Sequence, residues 1–250
     1  MQWTDEGIVL SCRRHGENAA VLMLLTVEHG RHAGLVRGAT GGRLRGALQP
    51  GNELRATWRA RLSEHLGTYT VEPGHARAGL VLGDRRRLAG LSAVCAVAEA
   101  VLPEREAHPV LHAATAALLG AIEHGIPDWP AAYVRWELGL LQDLGFGLDL
   151  SRCAATGSTE DLIYVSPKSA RAVSADAGSA YADKLLPLPG FLLGRQGGPT
   201  DDSAVADGLT LTGFFLERYL LSHRAGTPPA RARLVEVLLH QSPTSGILPP

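Results

Sequence analysis

The segment LRATWRARL, Leu54 to Leu62, alternates without a break: Leu54, Ala56, Trp58, Ala60 and Leu62 on one side, Arg55, Thr57, Arg59 and Arg61 on the other. Side chains of a strand point to opposite faces every second residue. The pattern therefore predicts a half-buried strand with Trp58 in the core and, at steps of about 7 Å along one face, three guanidinium groups and Thr57. Like charges in such a row repel one another, and a phosphate chain that neutralises them relieves the repulsion. The flanking sequence reads as further short strands: Gly7 to Arg13, Ala19 to Glu28, Arg31 to Ala39 after a His29-Gly30 turn, and Thr68 to Glu72 beyond Gly67. Between the third and fourth strands lies GATGGRLRG, Gly38 to Gly46, whose four glycines predict a mobile loop. Five short strands without a long helix predict a compact antiparallel β-barrel of the OB type over residues 1–80.

After Gly83 the texture changes to helical, so the chain as a whole is read as α+β and multidomain, with an α-helical domain over 81–250. Asp84 to Val101 is rich in Ala and Leu and stops at Pro103; Pro109 to Glu123 is closed by Gly125. Asp128 caps a third helix with Pro130 in its first turn, running through Leu144 until Gly145. Its apolar residues Tyr133, Val134, Trp136, Leu138, Leu140, Leu141 and Leu144 cover most of the circumference, which predicts the central helix of a bundle. Arg135, Gly139 and Gln142 occupy the remaining stripe. Two more helices, Ser203 to His223 and Pro229 to His240, follow an irregular surface excursion at about 150–184.

Composition narrows the function. The chain has 250 residues, 45% hydrophobic and 20% charged, with 24 Lys+Arg against 25 Asp+Glu, which excludes a disordered tail protein and a histone-like binder. The neutral total hides a split: residues 1–80 carry ten arginines against seven acids, and the window from Arg31 to Arg61 holds seven arginines and one acid, Glu53. Such a patch suits a local polyanion, or else a solvated surface. No apolar run approaches the roughly 18 to 20 residues that span a bilayer, the amino terminus lacks a signal-peptide pattern, and Cys12, Cys95 and Cys153 are widely spaced. A cytoplasmic protein with free thiols is expected.

Catalytic signatures are missing: there is no P-loop, no dinucleotide fingerprint and no nucleophile elbow. His108 and His112 have the spacing of a ligand pair, but Pro109 stands where a helical metalloprotease has its Glu, and it marks a helix start instead. Cys12 and Cys95 read as small core residues. Tyr69 is the strand aromatic best placed to stack on a base. Arg135, on a mostly apolar helix, needs a partner. That partner is either an intramolecular acid or a carboxylate from outside, and the residues alone leave both open.

Several segments together resemble the RecO family of bacterial recombination mediators. The amino-terminal stretch carries Glu17, the turn Thr26-x-x-x-Gly30-Arg31, the Arg37-Gly38-Ala39 entry and the Leu48-Gln49-Pro50 exit. The helical part carries Glu137, Leu140-Leu141, Leu144-Gly145-Phe146-Gly147 and Cys153, and FFLERYLLSHRAGTPPARARLVEVL follows in order. The resemblance implies an OB-fold followed by an α-helical domain. It also implies binding of single- and double-stranded DNA, strand annealing, an interaction with the acidic C-terminal tail of single-stranded-DNA-binding protein (SSB), and partnership with RecR, and with RecF in some settings, in recombinase loading at the nucleoid.

Two departures stand out. Many relatives hold zinc with four cysteines in the excursion; here Thr156 takes the second cysteine's place before Gly157, and the 171–178 region has none. One thiolate does not satisfy a structural zinc, so a degenerate, zinc-free excursion with no cofactor is expected. The glycine-rich loop also has Thr40, Gly41 and Gly42 where relatives often have more basic residues, which implies a weaker grip on phosphate. The expected DNA contacts are Arg31, Arg37, Arg43, Arg45, Arg55, Arg59 and Arg61, neutralising about five phosphates with a log–log salt slope of about −3.5 on a single strand. The expected SSB-tail site is Arg135 with Leu138 and Leu141 as walls. The competing reading is a protein-interaction adaptor with little direct DNA binding; an enzyme is not expected.

Overall fold

The computed structural model describes residues 1–194, 200–222 and 226–239, and of Arg43 the backbone alone. Strands β1 (Gln2–His15), β2 (Ala19–Thr26) and β3 (Gly30–Arg37) form a meander, a short helix α1 (Gly42–Ala47) follows, and β4 (Glu53–Arg59) and β5 (Thr68–Pro73) complete a closed barrel in the order β1-β2-β3-β5-β4. The barrel closes through a short parallel β3–β5 pairing, Leu35 with Thr68 and Val36 with Tyr69. A five-stranded closed barrel is the OB type expected from sequence; the helix between its third and fourth strands is not.

The decisive alternation holds for Leu54, Ala56 and Trp58, all buried with Val9, Leu22, Leu24 and Val36 in the barrel core. It fails beyond Arg59, where Leu62 is 52% exposed and the chain turns. A buried indole N–H requires an acceptor, and Trp58 Nε1 donates to the Leu66 carbonyl at 2.9 Å. The 60–66 segment therefore folds back over Trp58 instead of extending the strand. Gly67, at φ 64°, lies so close that a Cβ there would sit 2.4 Å from that nitrogen. The Gly38–Gly46 segment also departs from expectation. Its second half is helical because Leu44, Ala47 and Leu48 cap the barrel core, and this packing overrides the poor helix propensity of glycine.

The second unit begins with α2 (Arg77–Val81) and α3 (Arg85–Val101). Asp84 caps α3, its carboxylate accepting from the Arg86 and Arg87 amides. Next come α4 (Pro109–Glu123) and α5 (Trp129–Asp143). At the end of α5, Gly145 adopts φ 86°, with Phe146 N–H donating to Leu141 and Gly145 N–H to Gln142; this is a Schellman closure that only a residue tolerant of positive φ makes cheaply. The excursion is not wholly irregular: β6 (Leu162–Val165), β7 (Ala172–Ser174) and β8 (Leu186–Pro187) form a small sheet in the order β7-β6-β8, with the short α6 (Ala175–Gly178) after β7. A one-turn 3-10 helix (Gly190–Leu192) then leads toward α7 (Asp202–Leu216), a π-helical turn (Glu217–Leu221) and α8 (Pro229–Leu239). The predicted helix ends at His223 and His240 lie outside the described residues.

The two units share a core. Ile8, Leu10 and Leu25, on the outside of the barrel, pack in one cluster with Leu91, Val94, Val97 and Ala98 of α3. In the helical unit, Glu137 of α5 is fully buried and forms a bidentate pair with Arg231 of α8, Nε–Oε1 2.7 Å and Nη2–Oε2 2.9 Å, while the Thr212 hydroxyl of α7 donates to the same carboxylate. This triad ties three helices together at the level of Arg135.

Candidate functional site

The outer face of β1-β4-β5 sets the arginine row among polar and acidic neighbours of the flanking strands. Arg55 stands directly between Glu6 of β1 and Glu72 of β5, Thr57 between Thr4 and Thr70, and Arg59 between Gln2 and Thr68. Directly opposed residues share a face at roughly 5 Å between Cβ atoms, so Arg55 faces both glutamates, Arg59 faces neither, and the face as a whole carries two arginines against two glutamates. Arg61 lies past the strand in the 61–65 turn and is exposed. Arg31 belongs to the junction between units: its Nε donates to the Leu102 carbonyl at 2.8 Å, and Nη1 is 3.4 Å from Glu104. Tyr69 is also corrected. It is buried, its hydroxyl 3.0 Å from His32 Nδ1, and desolvation pushes its pKa far above the ordinary phenol value, so no base reaches its ring. The side chain of Arg43 lies outside the described residues.

A different grouping emerges at the α1 end of the barrel. Arg14 and Arg45, both exposed, line one groove of about 750 Å³ with Ser11, Cys12, Thr40 and Gln49, and Glu17 is its acid. Arg37 lines a second groove on the other side of α1, with Leu44 and Thr68. The β1–β2 hairpin sets this geometry, because Arg14 pairs with Ala20 and His15 with Ala19, which also pairs with Arg37. Arg14 was missed in the sequence because the charge window was drawn from Arg31 onward. A hairpin register, not chain proximity, brings it beside Arg45. Neighbouring Arg13 turns elsewhere, to Glu99 of α3 at 2.8 Å.

In the helical unit, α4 and α5 leave an open groove of about 420 Å³ between them. Its floor and walls are Val110, Ala114, Ala117, Leu118, Ala121 and Gly139, and Arg135 stands at its edge. Arg135 finds no acid within ion-pair distance among the described residues. Its guanidinium lies 5.0 Å over the Phe191 ring, and Nη2 donates to the Phe191 carbonyl at 3.3 Å. Stacking plus one hydrogen bond fixes the fork while leaving donors for an incoming carboxylate. The expected walls are corrected: Leu141 is fully buried in the helical core and Leu138 packs against that core, neither of them in the groove. Small residues at 114, 117, 121 and 139 make the cleft, a signal that was present in the sequence as alanine spacing on the preceding helix.

The excursion offers one cysteine, where a structural zinc takes four ligands. Cys153 is buried, and its Sγ accepts from both the amide and the hydroxyl of Ser174 at 3.3 Å. Bonds from Ser174 and Thr156 push its thiol down to about 6. No group of three or more His, Cys, Asp or Glu suited to a metal occurs among the described residues. His108 sits at the start of α4 beside Asp143 instead of pairing with His112 on a metal. No helix among the described residues is long and apolar enough to cross a membrane.

Comparison with known proteins shows what this chain is similar to. The sequence family described as Recombination protein O N terminal matches residues 1–75, and Recombination protein O C terminal matches 82–227. A protein of Cereibacter sphaeroides named DNA repair protein RecO is 53% identical over 240 residues, covering 95% of this chain and 98% of its own. The protein of the same name from Rhodospirillum centenum is 52% identical over 252 residues, 100% of this chain and 99% of its own. That of Rhodospirillum rubrum is 51% identical over 243 residues, 95% and 96% respectively.

Proposed function

The chain belongs to the RecO family, and from that premise we propose that it serves DNA repair and recombination as a mediator with two separate binding sites. The barrel end around α1, with Arg14, Arg37 and Arg45, follows the phosphate backbone of single- and double-stranded DNA without reading bases. Affinity of this kind comes from counterion release and permits sliding, which suits annealing, where two strands must shift into register. The α4–α5 groove takes the acidic carboxy-terminal tail of SSB, its terminal carboxylate on Arg135 and its last apolar side chains on the alanine-lined floor. RecR, with RecF in some settings, completes the recombinase-loading assembly, and the protein acts in the cytoplasm, at the nucleoid, by binding and not by catalysis.

The observation that carries this reading is Arg135: an arginine held in place by Phe191, with no acid in ion-pair reach among the described residues, lining an open apolar cleft. Arg135→Ala is expected to weaken binding of a labelled tail peptide at least tenfold and to leave oligonucleotide binding and the melting temperature unchanged; equal loss of both ligands refutes it. In strand annealing with SSB-coated complementary oligonucleotides, the same variant should slow the reaction while annealing bare strands normally. The metal-free excursion is proposed on the same footing, supported by a lone thiol already committed to Ser174. Elemental analysis of the purified protein should give zinc far below one per chain.

One observation favours the second reading, an adaptor with little DNA contact of its own: the β1-β4-β5 face is balanced in charge. The two readings differ at Arg14 and Arg45, whose replacement leaves an adaptor unaffected.

A further inference from the structure

Helix α1 divides the arginines at its end of the barrel. The register of β2 sends them to opposite faces: Arg14 pairs with Ala20, which pairs with buried Val36, whereas Arg37, one residue on, pairs with Ala19. Neighbours along a strand alternate between faces, so Arg14 emerges at the inner rim and Arg37 on the outer side. Arg14 then lines one groove with Arg45, and Arg37 lines the other with Leu44, Thr68 and Thr70. Among the described residues none of the three arginines has an acid within ion-pair distance, and Arg14 bonds only the Gly16 carbonyl. Thr68 and Thr70 share one face of β5, and hydroxyls bond phosphate oxygens as arginines do. The crest of α1 between the grooves is bare. Leu44, Ala47 and Leu48 turn to the barrel core, which at 3.6 residues per turn leaves Gly42 and Gly46 on the opposite side. Both are exposed, and a Cβ at either would meet nothing within 4 Å.

We propose that one chain holds two DNA strands at once, one in each groove, and that their bases meet over the crest of α1. The proposal rests on the reading that the α1 end of the barrel binds phosphate. β1 and β3 stand two strand spacings apart, about 9 to 10 Å, and the arginines diverge from there to opposite faces. That separation matches the screening length of about 10 Å at 0.1 M salt. Two phosphate chains therefore lie side by side with little mutual repulsion, each with its own cation. The first groove has two arginines, the second one arginine and two hydroxyls, so the strand in the second groove is held less tightly and is the one that slides. Glycines on the crest leave no side chain there to part the bases. Annealing then needs a single chain, not a meeting of two.

The experiment uses the full chain and two non-complementary strands of about eight nucleotides, within the range that one OB fold covers, each with its own dye. Native mass spectrometry, with energy transfer between the dyes, should show the natural protein as one chain carrying both strands. Arg37→Ala should carry one. Gly46→Leu raises a fence on the crest and favours the helix; it should carry both strands and melt no lower, yet join complementary strands at least fivefold more slowly. A single strand per natural chain at saturation, two strands on Arg37→Ala, or annealing at the natural rate by Gly46→Leu overturns the inference. If the double variant Arg14→Ala, Arg45→Ala binds strands as tightly as the natural protein, it is the underlying assignment of phosphate to the α1 end that fails, whatever the stoichiometry.

Discussion

Arg135 and Arg55 show how much a guanidinium's meaning depends on its neighbours. Both stand on the surface, but Arg55 has a glutamate on each flanking strand, while Arg135 has an aromatic ring and a carbonyl. The first arrangement sets two acids beside the charge, and the second sets none beside it among the described residues. If the ring holds the fork in position, Phe191→Leu, which keeps the site apolar and of similar volume, should cost less than about 1.5 kcal/mol of stability and weaken tail-peptide binding by about two- to fivefold, the worth of a partly exposed cation–π contact. Isothermal calorimetry beside a urea titration separates the two effects. Binding that survives intact would show that Arg135 needs no support from Phe191. Trp58 was legible as a core residue from its place in the alternation. The burial of Tyr69 was not, because strand position alone does not show that His32 is waiting behind it to bond its hydroxyl.

At the scale of elements, periodicity located the strands and helices well and their ends less well. Strand β4 stops three residues before its alternation does, because the indole of Trp58 captures the Leu66 carbonyl; that is a tertiary hydrogen bond with no local sequence signal. Helix α1 forms inside a glycine-rich loop because the barrel needs a lid. Helix α5 ends where predicted, since Gly145 is a local stop of known geometry. The same helix offers a clean test of the groove. A Cβ at Gly139 would meet nothing within 4 Å, so Gly139→Leu should stabilise α5 by about 0.5–1 kcal/mol through helix propensity while its side chain fills the cleft. Thermal melting should rise and tail-peptide affinity should fall at least tenfold. A variant that is more stable and binds normally would place the tail elsewhere.

Over the whole molecule, the barrel and the helical unit act as one body because polar ties reinforce the shared core. Arg77 bonds the Gly51 carbonyl, Glu53 and Glu123 at 2.8, 2.8 and 3.0 Å, and His75 adds a bond to Glu123 at 2.8 Å. Burial alone would raise the Glu123 carboxyl, but His75 and Arg77 outweigh it and hold the group below its usual value of 4.5. A depressed carboxylate adds stability that is present above its unfolded pKa and is lost as pH falls through the folded one. Acid unfolding should therefore be steeper below about pH 4.5 in the natural protein than in Glu123→Gln, which starts less stable but has less to lose. Parallel acid titrations, followed by circular dichroism, check this. None of these ties was visible in the sequence, since they join residues 24 to 48 positions apart. The two-part division was visible, because alternation gives way to Ala- and Leu-rich helix at Gly83.

The central claim is that the α1 end of the barrel, and not the balanced β1-β4-β5 face, meets the phosphate chain. The salt dependence of oligonucleotide binding in the double variant Arg14→Ala, Arg45→Ala tests it most directly. At about 0.7 per phosphate contact on a single strand, the log–log slope should become shallower by about 1.4, and affinity should fall about tenfold or more at low salt. An unchanged slope and affinity in this variant, with both lost in Arg55→Ala, Arg59→Ala, would contradict the account.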